Sequence, residues 1–283
     1  MSTLKTRLLE SLVEDCPSGD ITTEWFAGNN HPTLATITAK ESGVFFGESV
    51  IKTLFSILDP NATITLNTHD GALIHTNDII CTIKSSAHTL LKGERVLLNL
   101  LQRGSGVASL THAFVHALND PKIKVLDTRK TTPLWREFER EAVRAGGGHN
   151  HRFCLSDMVL IKENHLAELE KQNQLHLLGD LMKAFKEQHP NSPIEIEIET
   201  LQQLESWDLS LADVIMLDHF SLDDLYTAAD ICTQRQFKAE LEVSGNINLN
   251  SIVFYRHTPI HRISVGTLTH SAPALDLSMR IMV

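Results

Sequence analysis

No run of apolar residues in this 283-residue chain approaches the roughly 20 needed to cross a bilayer. Residues 1–14 lack the apolar core and small-residue cleavage site of a signal peptide and read instead as an amphipathic helix. Cysteine is scarce: Cys16, Cys81, Cys154 and Cys232 are widely spaced and make no C-x-x-C pair. That argues against a zinc knuckle or a disulfide scaffold and implies reduced thiols in a cytoplasmic protein. Positive charge is also in short supply. The formal net charge of -10 disfavours general binding to nucleic acid or to an anionic membrane, so any anion site must be a local basic pocket. There is no G-x-S-x-G elbow, no P-loop and no G-x-G-x-x-G. These absences favour catalysis by positioning and electrostatics over a nucleophile–base pair.

What is present is an ordinary folded composition, 42% hydrophobic and 21% charged, with length enough for a sizeable core. Three alternating segments, 33–39, 62–68 and 78–84, with a turn at Asp70-Gly71, predict a small antiparallel β unit. A long helical stretch follows over 87–118, expected to break at Gly104 and Gly106; Glu94, Arg95 and Asn99 lie on its first half. Beyond it, short apolar runs at 123–126, 158–161, 194–198, 214–217, 239–243 and 262–265 alternate with helical segments such as 166–188 and 221–236. That rhythm predicts a parallel sheet.

Each apolar run leads into chemically loaded residues, and in α/β barrels sites form at the carboxyl ends of strands. An open doubly wound sheet uses only its crevice, so the use of most strand ends favours a barrel. Asp127-Thr128-Arg129-Lys130 places two cations after the first run, a guanidinium fork suited to carboxylate and an ammonium suited to phosphate. Gly146-Gly147-Gly148-His149-Asn150-His151-Arg152 adds glycines for close backbone approach, either to a ligand or in packing, and further cations. Its two histidines suggest a metal site, but no third ligand is evident nearby. Lys162 follows the second run, with a buried ion pair to Glu197 or Asp218 as its plainest alternative. Glu197 and Asp218 suit Mg²⁺ or ribose hydroxyls, and Glu195 and Glu199 share a face with Glu197, so spacing does not choose among the three. Ser244-Gly245 and Gly266-Thr267, with His270 behind, match the phosphate position late in a barrel.

The segments DTRKTTP (127–133), AVRAGGGHNHR (142–152), LIKENH (160–165), VIMLD (214–218) and ISVGTLTHSAPA (263–274) closely resemble the quinolinate phosphoribosyltransferase family. So do Glu14-Asp15 with GDITT (19–23), and Glu94-Arg95 with LLQR (100–103). The likeness spans nearly the whole chain in order, and DTRKTTP with GGGHNHR is highly specific. It implies an N-terminal open β-sandwich domain over 1–110, with a tail at about 272–283 packing on it, and an incomplete α/β barrel over 111–271. It implies a homodimer making nicotinate mononucleotide, pyrophosphate and CO₂ from quinolinate and phosphoribosyl pyrophosphate. Arg129, His151 and Arg152 would bind the two carboxylates, with Arg95 supplied by the partner subunit. Lys130 and Lys162 would contact both substrates, Glu197 and Asp218 would serve the ribose and Mg²⁺, and Ser244, Gly245, Gly266 and His270 would hold the 5′-phosphate. Lys130, Lys162, Glu197 and Asp218 are the expected catalytic set.

Four positions depart from the family pattern: Leu134 and Cys154 stand where glycine is usual, His219 where asparagine is usual, and Asn246 at the second glycine of Ser-Gly-Gly. None removes a charged residue of the site. The rival readings are a molybdenum-uptake-associated relative, a non-catalytic anion binder, and a metal hydrolase built on His149 and His151.

Overall fold

The computed structural model describes residues 3–28 and 30–282; the ends of the predicted 1–14 helix and 272–283 tail at residues 1, 2 and 283 lie outside them. The chain forms two compact units, one of residues 1–112, 137–147 and 272–283, the other of 113–136 and 148–271.

The first unit begins with helices α1 (Leu4–Asp15) and α2 (Ile21–Phe26). Thr3 caps α1, and the Asp20 carboxylate caps α2 by accepting the Thr22 and Thr23 N–H groups. There follow β1 (Pro32–Ala39), β2 (Gly43–Val44), α3 (Glu48–Leu58), β3 (Thr63–Leu66), β4 (Leu73–Ile74), β5 (Ile79–Ser86) and α4 (Ala87–Leu118), whose last six residues belong to the second unit. The main sheet is antiparallel where its pairings are β1 with β5 and β5 with β3, and its other edge is taken by β12 (Leu277–Ile281) from the far end of the chain. Alternation puts Ala35, Ile37 and Ala39 of β1 at zero exposure, so one face of the sheet is core.

The helix over 87–118 runs unbroken, against expectation. Gly104 and Gly106 serve packing. A Cβ on Gly106 would lie 1.9 Å from the Pro273 carbonyl oxygen, and one on Gly104 would meet the rings of Phe46 and Phe138. The helical cost of about 1 kcal/mol per glycine is offset by these close approaches.

In the second unit β6 (Lys124–Leu126) is followed by α5 (Arg136–Ala145), most of which belongs to the first unit. Then come β7 (Val159–Ile161), α6 (Glu163–Lys171), α7 (Leu178–Gln188), β8 (Ile194–Ile198), α8 (Leu201–Ser206), β9 (Val214–Asp218), α9 (Leu222–Gln234), β10 (Glu240–Ser244), β11 (Arg262–Ser264) and α10 (Thr267–His270). The single helix expected over 166–188 is two, separated by a short 3-10 turn at Leu175–Leu177. The six strands lie in the order β6-β11-β10-β9-β8-β7, all parallel, and β6 and β7 do not meet. The fold is therefore an incomplete α/β barrel with a separate antiparallel domain, as expected. No helix among the described residues is long and apolar enough to cross a membrane.

Candidate active site

The parallel strands end on one rim, and the loaded segments gather there. Asp127, just past β6, is fully buried and accepts from the His151 N–H and the Asn150 side-chain amide, both at 2.7 Å. Residues 148–151 also run alongside β6, through a parallel bridge of Leu126 with His149. One acid thus ties the DTRK segment to the GGGHNHR segment. The glycine run serves folding more than ligand approach: Gly147 takes φ 88° and a Cβ on Gly146 would collide with the Ala108 carbonyl oxygen at 2.3 Å. His149 is exposed while His151 is buried, so the two do not form a metal pair.

A cavity of about 280 Å³ is lined by Arg129, Lys130, His151, Arg152 and Lys162 on its polar side and by Leu160 and Met216 on its apolar side. Among the described residues no ion pair compensates Arg129, Lys130 or Arg152. The Nε of Arg129 is buried with no hydrogen-bond partner. Burial, then the neighbouring Arg129, pull the Arg152 guanidinium below its ordinary pKa. A buried unmatched donor beside a second cation is the signature of a site that receives an anion.

A second cavity of about 410 Å³ shares Thr128, Lys130, Lys162, Ser244 and Ser264 with the first, so the two form one cleft. Glu197, Asp218, His219, Gly245, Asn246, Gly266, Thr267 and His270 also line it. Lys162 is placed by the turn from β7 into α6: its N–H donates to His165 Nδ1 at 3.0 Å, and its ammonium pairs with Glu197. Burial raises the Glu197 carboxyl above its ordinary pKa, Lys162 opposes this, and the nearby Glu163 adds to it. The three glutamates that sequence could not separate now differ. Glu197 meets Lys162, Glu195 lies deeper against His151, and Glu199 sits exposed on the cavity rim. At the far end Gly245 has φ 101°, and a Cβ there would lie 2.7 Å from the His219 ring.

Of the expected site residues, Lys130, Lys162, Arg129, His151, Arg152, Glu197, Asp218, Ser244, Gly245, Gly266 and His270 all line this cleft. Arg95 does not; it is an exposed residue of α4 in the first unit. Sequence reasoning missed Glu242 of β10, which is fully buried and 3.4 Å from His151. The available signal was the alternation of β10, which puts Glu240, Glu242 and Ser244 on one face and Leu241 and Val243 on the other, with Glu242 at the middle of the strand. Burial works against charge on His151, but the hydrogen bonds and charge of Glu195 and Glu242 outweigh it and raise the imidazole to about 10. Burial and the Arg152 N–H, 2.7 Å from Nδ1, favour a proton-free Nδ1, so the proton that the two acids hold is the one on Nε2.

Three of the four departures from the family pattern have a backbone explanation, and nothing in the structure explains Cys154. Leu134, His219 and Asn246 hold φ of 69°, 58° and 50°, the left-handed region where glycine and asparagine are at ease. Leu134 is 73% exposed, so burial does not repay its strain. That strain is about 1–2 kcal/mol, against about 0.5–1 kcal/mol for the added freedom of an unfolded glycine. Leu134→Gly is therefore expected to raise Tm by about 2 °C in a thermal melt; a lower Tm would refute the strain.

An unclosed parallel barrel with an anion cleft at its strand ends defines an enzyme for substrates that carry several negative groups. Comparison with known proteins narrows this class. The profile "Quinolinate phosphoribosyl transferase, C-terminal domain" matches residues 107–280, and the N-terminal domain of the same name matches 20–105. The chain belongs to the quinolinate phosphoribosyltransferase family. It is 41% identical over 282 residues to the "Probable nicotinate-nucleotide pyrophosphorylase [carboxylating]" of Bacillus subtilis, covering 98% of this chain and 93% of that protein. It is 32% identical over 274 residues to the Mycobacterium leprae "Nicotinate-nucleotide pyrophosphorylase [carboxylating]", covering 95% and 94%. The crystal structure of NadC from Streptococcus pyogenes superposes with a TM-score of 0.90 at 37% identity, over 99% of this chain and 96% of that one.

Proposed function

We propose that this protein transfers the phosphoribosyl group of phosphoribosyl pyrophosphate to quinolinate, with loss of CO₂, in NAD biosynthesis. The observation that carries the reading is the uncompensated pair Arg129 and Arg152, with the Nε of Arg129 buried and unmatched. Two adjacent carboxylates on a flat ring answer two guanidinium groups. Leu160 and Met216 offer the ring an apolar wall, and His151 lies beside them.

The sugar phosphate lies across the cleft, with Ser244, Gly245, Gly266 and His270 around its 5′-phosphate and Lys130 and Lys162 between the two substrates. The pyridine nitrogen attacks C1 of the ribose as pyrophosphate departs with the bonding pair. Positive charge builds on the sugar at that moment, and the Glu197 and Asp218 carboxylates, fixed in advance, stabilise it. The ring nitrogen of the adduct is cationic. The bond to the 2-carboxylate then breaks, CO₂ leaves, and its electron pair remains on C2 until a proton arrives. Glu197 and Asp218 are hard oxygen donors facing a phosphate cradle, a set that fits Mg²⁺ and not a soft metal. Bound there, Mg²⁺ would neutralise charge on the leaving pyrophosphate.

The enzyme is read as a cytoplasmic homodimer in which Arg95 of each chain serves its partner's cleft. Purified protein should form nicotinate mononucleotide from quinolinate, phosphoribosyl pyrophosphate and Mg²⁺, and none when nicotinate replaces quinolinate. Failure with quinolinate in a folded sample would remove the reading. For the shared site, Arg95→Ala and Arg129→Ala chains, each nearly inactive at quinolinate near the wild-type KM, should regain up to about a quarter of wild-type activity there after subunit exchange, because one cleft in a mixed dimer is intact. Mixed dimers without activity would place Arg95 outside the site.

A further inference from the structure

Behind His151, which lines the cleft, lie two buried glutamates that the proposed chemistry does not use, Glu195 and Glu242. Both glutamates have zero exposure, and His151 has 8%. The Nε2 of His151 is 3.0 Å from Glu195 and 3.4 Å from Glu242. The Ser264 hydroxyl donates to Glu242 from the neighbouring strand, and Arg262 lies 4.0 Å away from it. On the other edge of the ring, Nδ1 accepts the Arg152 N–H at 2.7 Å. The Arg152 guanidinium donates to the Met158 carbonyl oxygen at 3.1 Å, and the His151 N–H donates to Asp127. The main chain that carries Arg152 is therefore fixed by the ring, and the ring is fixed by two acids from β8 and β10.

Two fully buried carboxylates are costly, and aliphatic residues of similar size would pack such strands at no such cost. Two contacts lead from them towards the substrate cleft, His151 from both acids and the Ser264 hydroxyl from Glu242, and of these only His151 is tied to Arg152. We propose that Glu195 and Glu242 are positioning residues for quinolinate: they clamp Nε2 of His151 beneath the cleft, and through Nδ1 the ring sets where Arg152 meets the substrate's carboxylates. This rests on the quinolinate reading. Neither glutamate lines the cleft, so their effect on the substrate is indirect.

Glu195→Gln and Glu242→Gln preserve side-chain volume and leave one oxygen to accept from Nε2. Each is expected to raise the quinolinate KM about tenfold while the phosphoribosyl pyrophosphate KM stays within twofold. A double-mutant cycle supplies the readout that a purely structural role would not move. In an Arg152→Ala background, Glu242→Gln should change the quinolinate KM less than twofold, since the residue it positions is gone. Additive effects, or both KM values rising together with a lower Tm, would overturn the inference in favour of a core ion pair. Should the glutamine variants fold poorly, Glu195→Asp withdraws the carboxylate from Nε2 without touching the cleft and should raise the quinolinate KM two- to threefold; an unchanged value overturns the inference. The three side chains also bring ligand-type atoms within 4.8 Å of one another, so metal content is measured on the same samples. One tightly held metal ion per wild-type chain, lost in Glu242→Gln, would overturn it as well. Wild type inactive on quinolinate removes the functional reading and this inference together. An active wild type with unaltered glutamine variants removes the inference alone.

Discussion

Arg129→Ala raises the quinolinate KM by about two orders of magnitude and leaves the fold at least as stable. The Nε of Arg129 is buried with no partner, and no ion pair compensates it among the described residues. A carboxylate entering the cavity gains a charge-assisted, two-pronged contact worth about 3 kcal/mol, a factor of about 100 in affinity. Without substrate the same group is a liability, because a buried donor with no acceptor has lost its water and gained nothing. Removing it should therefore hold or raise Tm, the usual exchange of binding for stability at a site. Initial rates at saturating phosphoribosyl pyrophosphate, beside a thermal melt, check both halves. A quinolinate KM within threefold of wild type would mean that Arg129 does not hold the substrate.

Lys162→Met should lower kcat about a thousandfold and also lower stability, and the second effect should be reversible by a further change. Lys162 is 39% exposed but pairs with Glu197, which is 7% exposed and whose pKa burial already raises. Taking the ammonium away strands a buried carboxylate, at a cost of about 2 kcal/mol once the exposure of the lysine is discounted. Adding Glu197→Gln removes the stranded charge, so the double variant should melt close to wild type. Activity should not return, because the ammonium between the substrates and the carboxylate facing the sugar are then both absent, and the double variant should be little worse than the single one. A double variant that melts as low as Lys162→Met would show that the two side chains are not energetically paired.

The barrel was legible because its strands are short, apolar and regularly spaced, and because each hands over to polar residues. Period and turn chemistry record those features locally. The long helix misled for the converse reason. Gly104 and Gly106 look like breaks in one dimension, but their purpose is set by Phe46, Phe138 and Pro273, which are distant in sequence. The cations of the cleft were found because unmatched positive residues stand out in an acidic chain. Glu242 was not, since a glutamate inside an apolar strand resembles any edge residue until the sheet order places β10 next to β9 and β11. The choice among Glu195, Glu197 and Glu199 likewise needed depth along the barrel, which alternation alone does not carry. Leu134 was flagged as out of place, and only its backbone angle explains why.

The strand pairings have a consequence for how the chain is made. In the antiparallel sheet β1 takes one neighbour from the end of the chain, Ala35 facing Ile281, and in the barrel β6 finds its strand partner in β11, Lys124 facing Arg262. Neither unit can be finished from its own early residues. At roughly 5–20 residues per second on the ribosome, an apolar β1 waits on the order of ten to fifty seconds for its last neighbour. During that interval both nascent sheets keep open edges able to recruit a foreign strand. Production of this protein should thus be governed by what shields a growing chain, and truncation near β12 should harm solubility more than the loss of the buried Leu277 and Met279 alone would suggest.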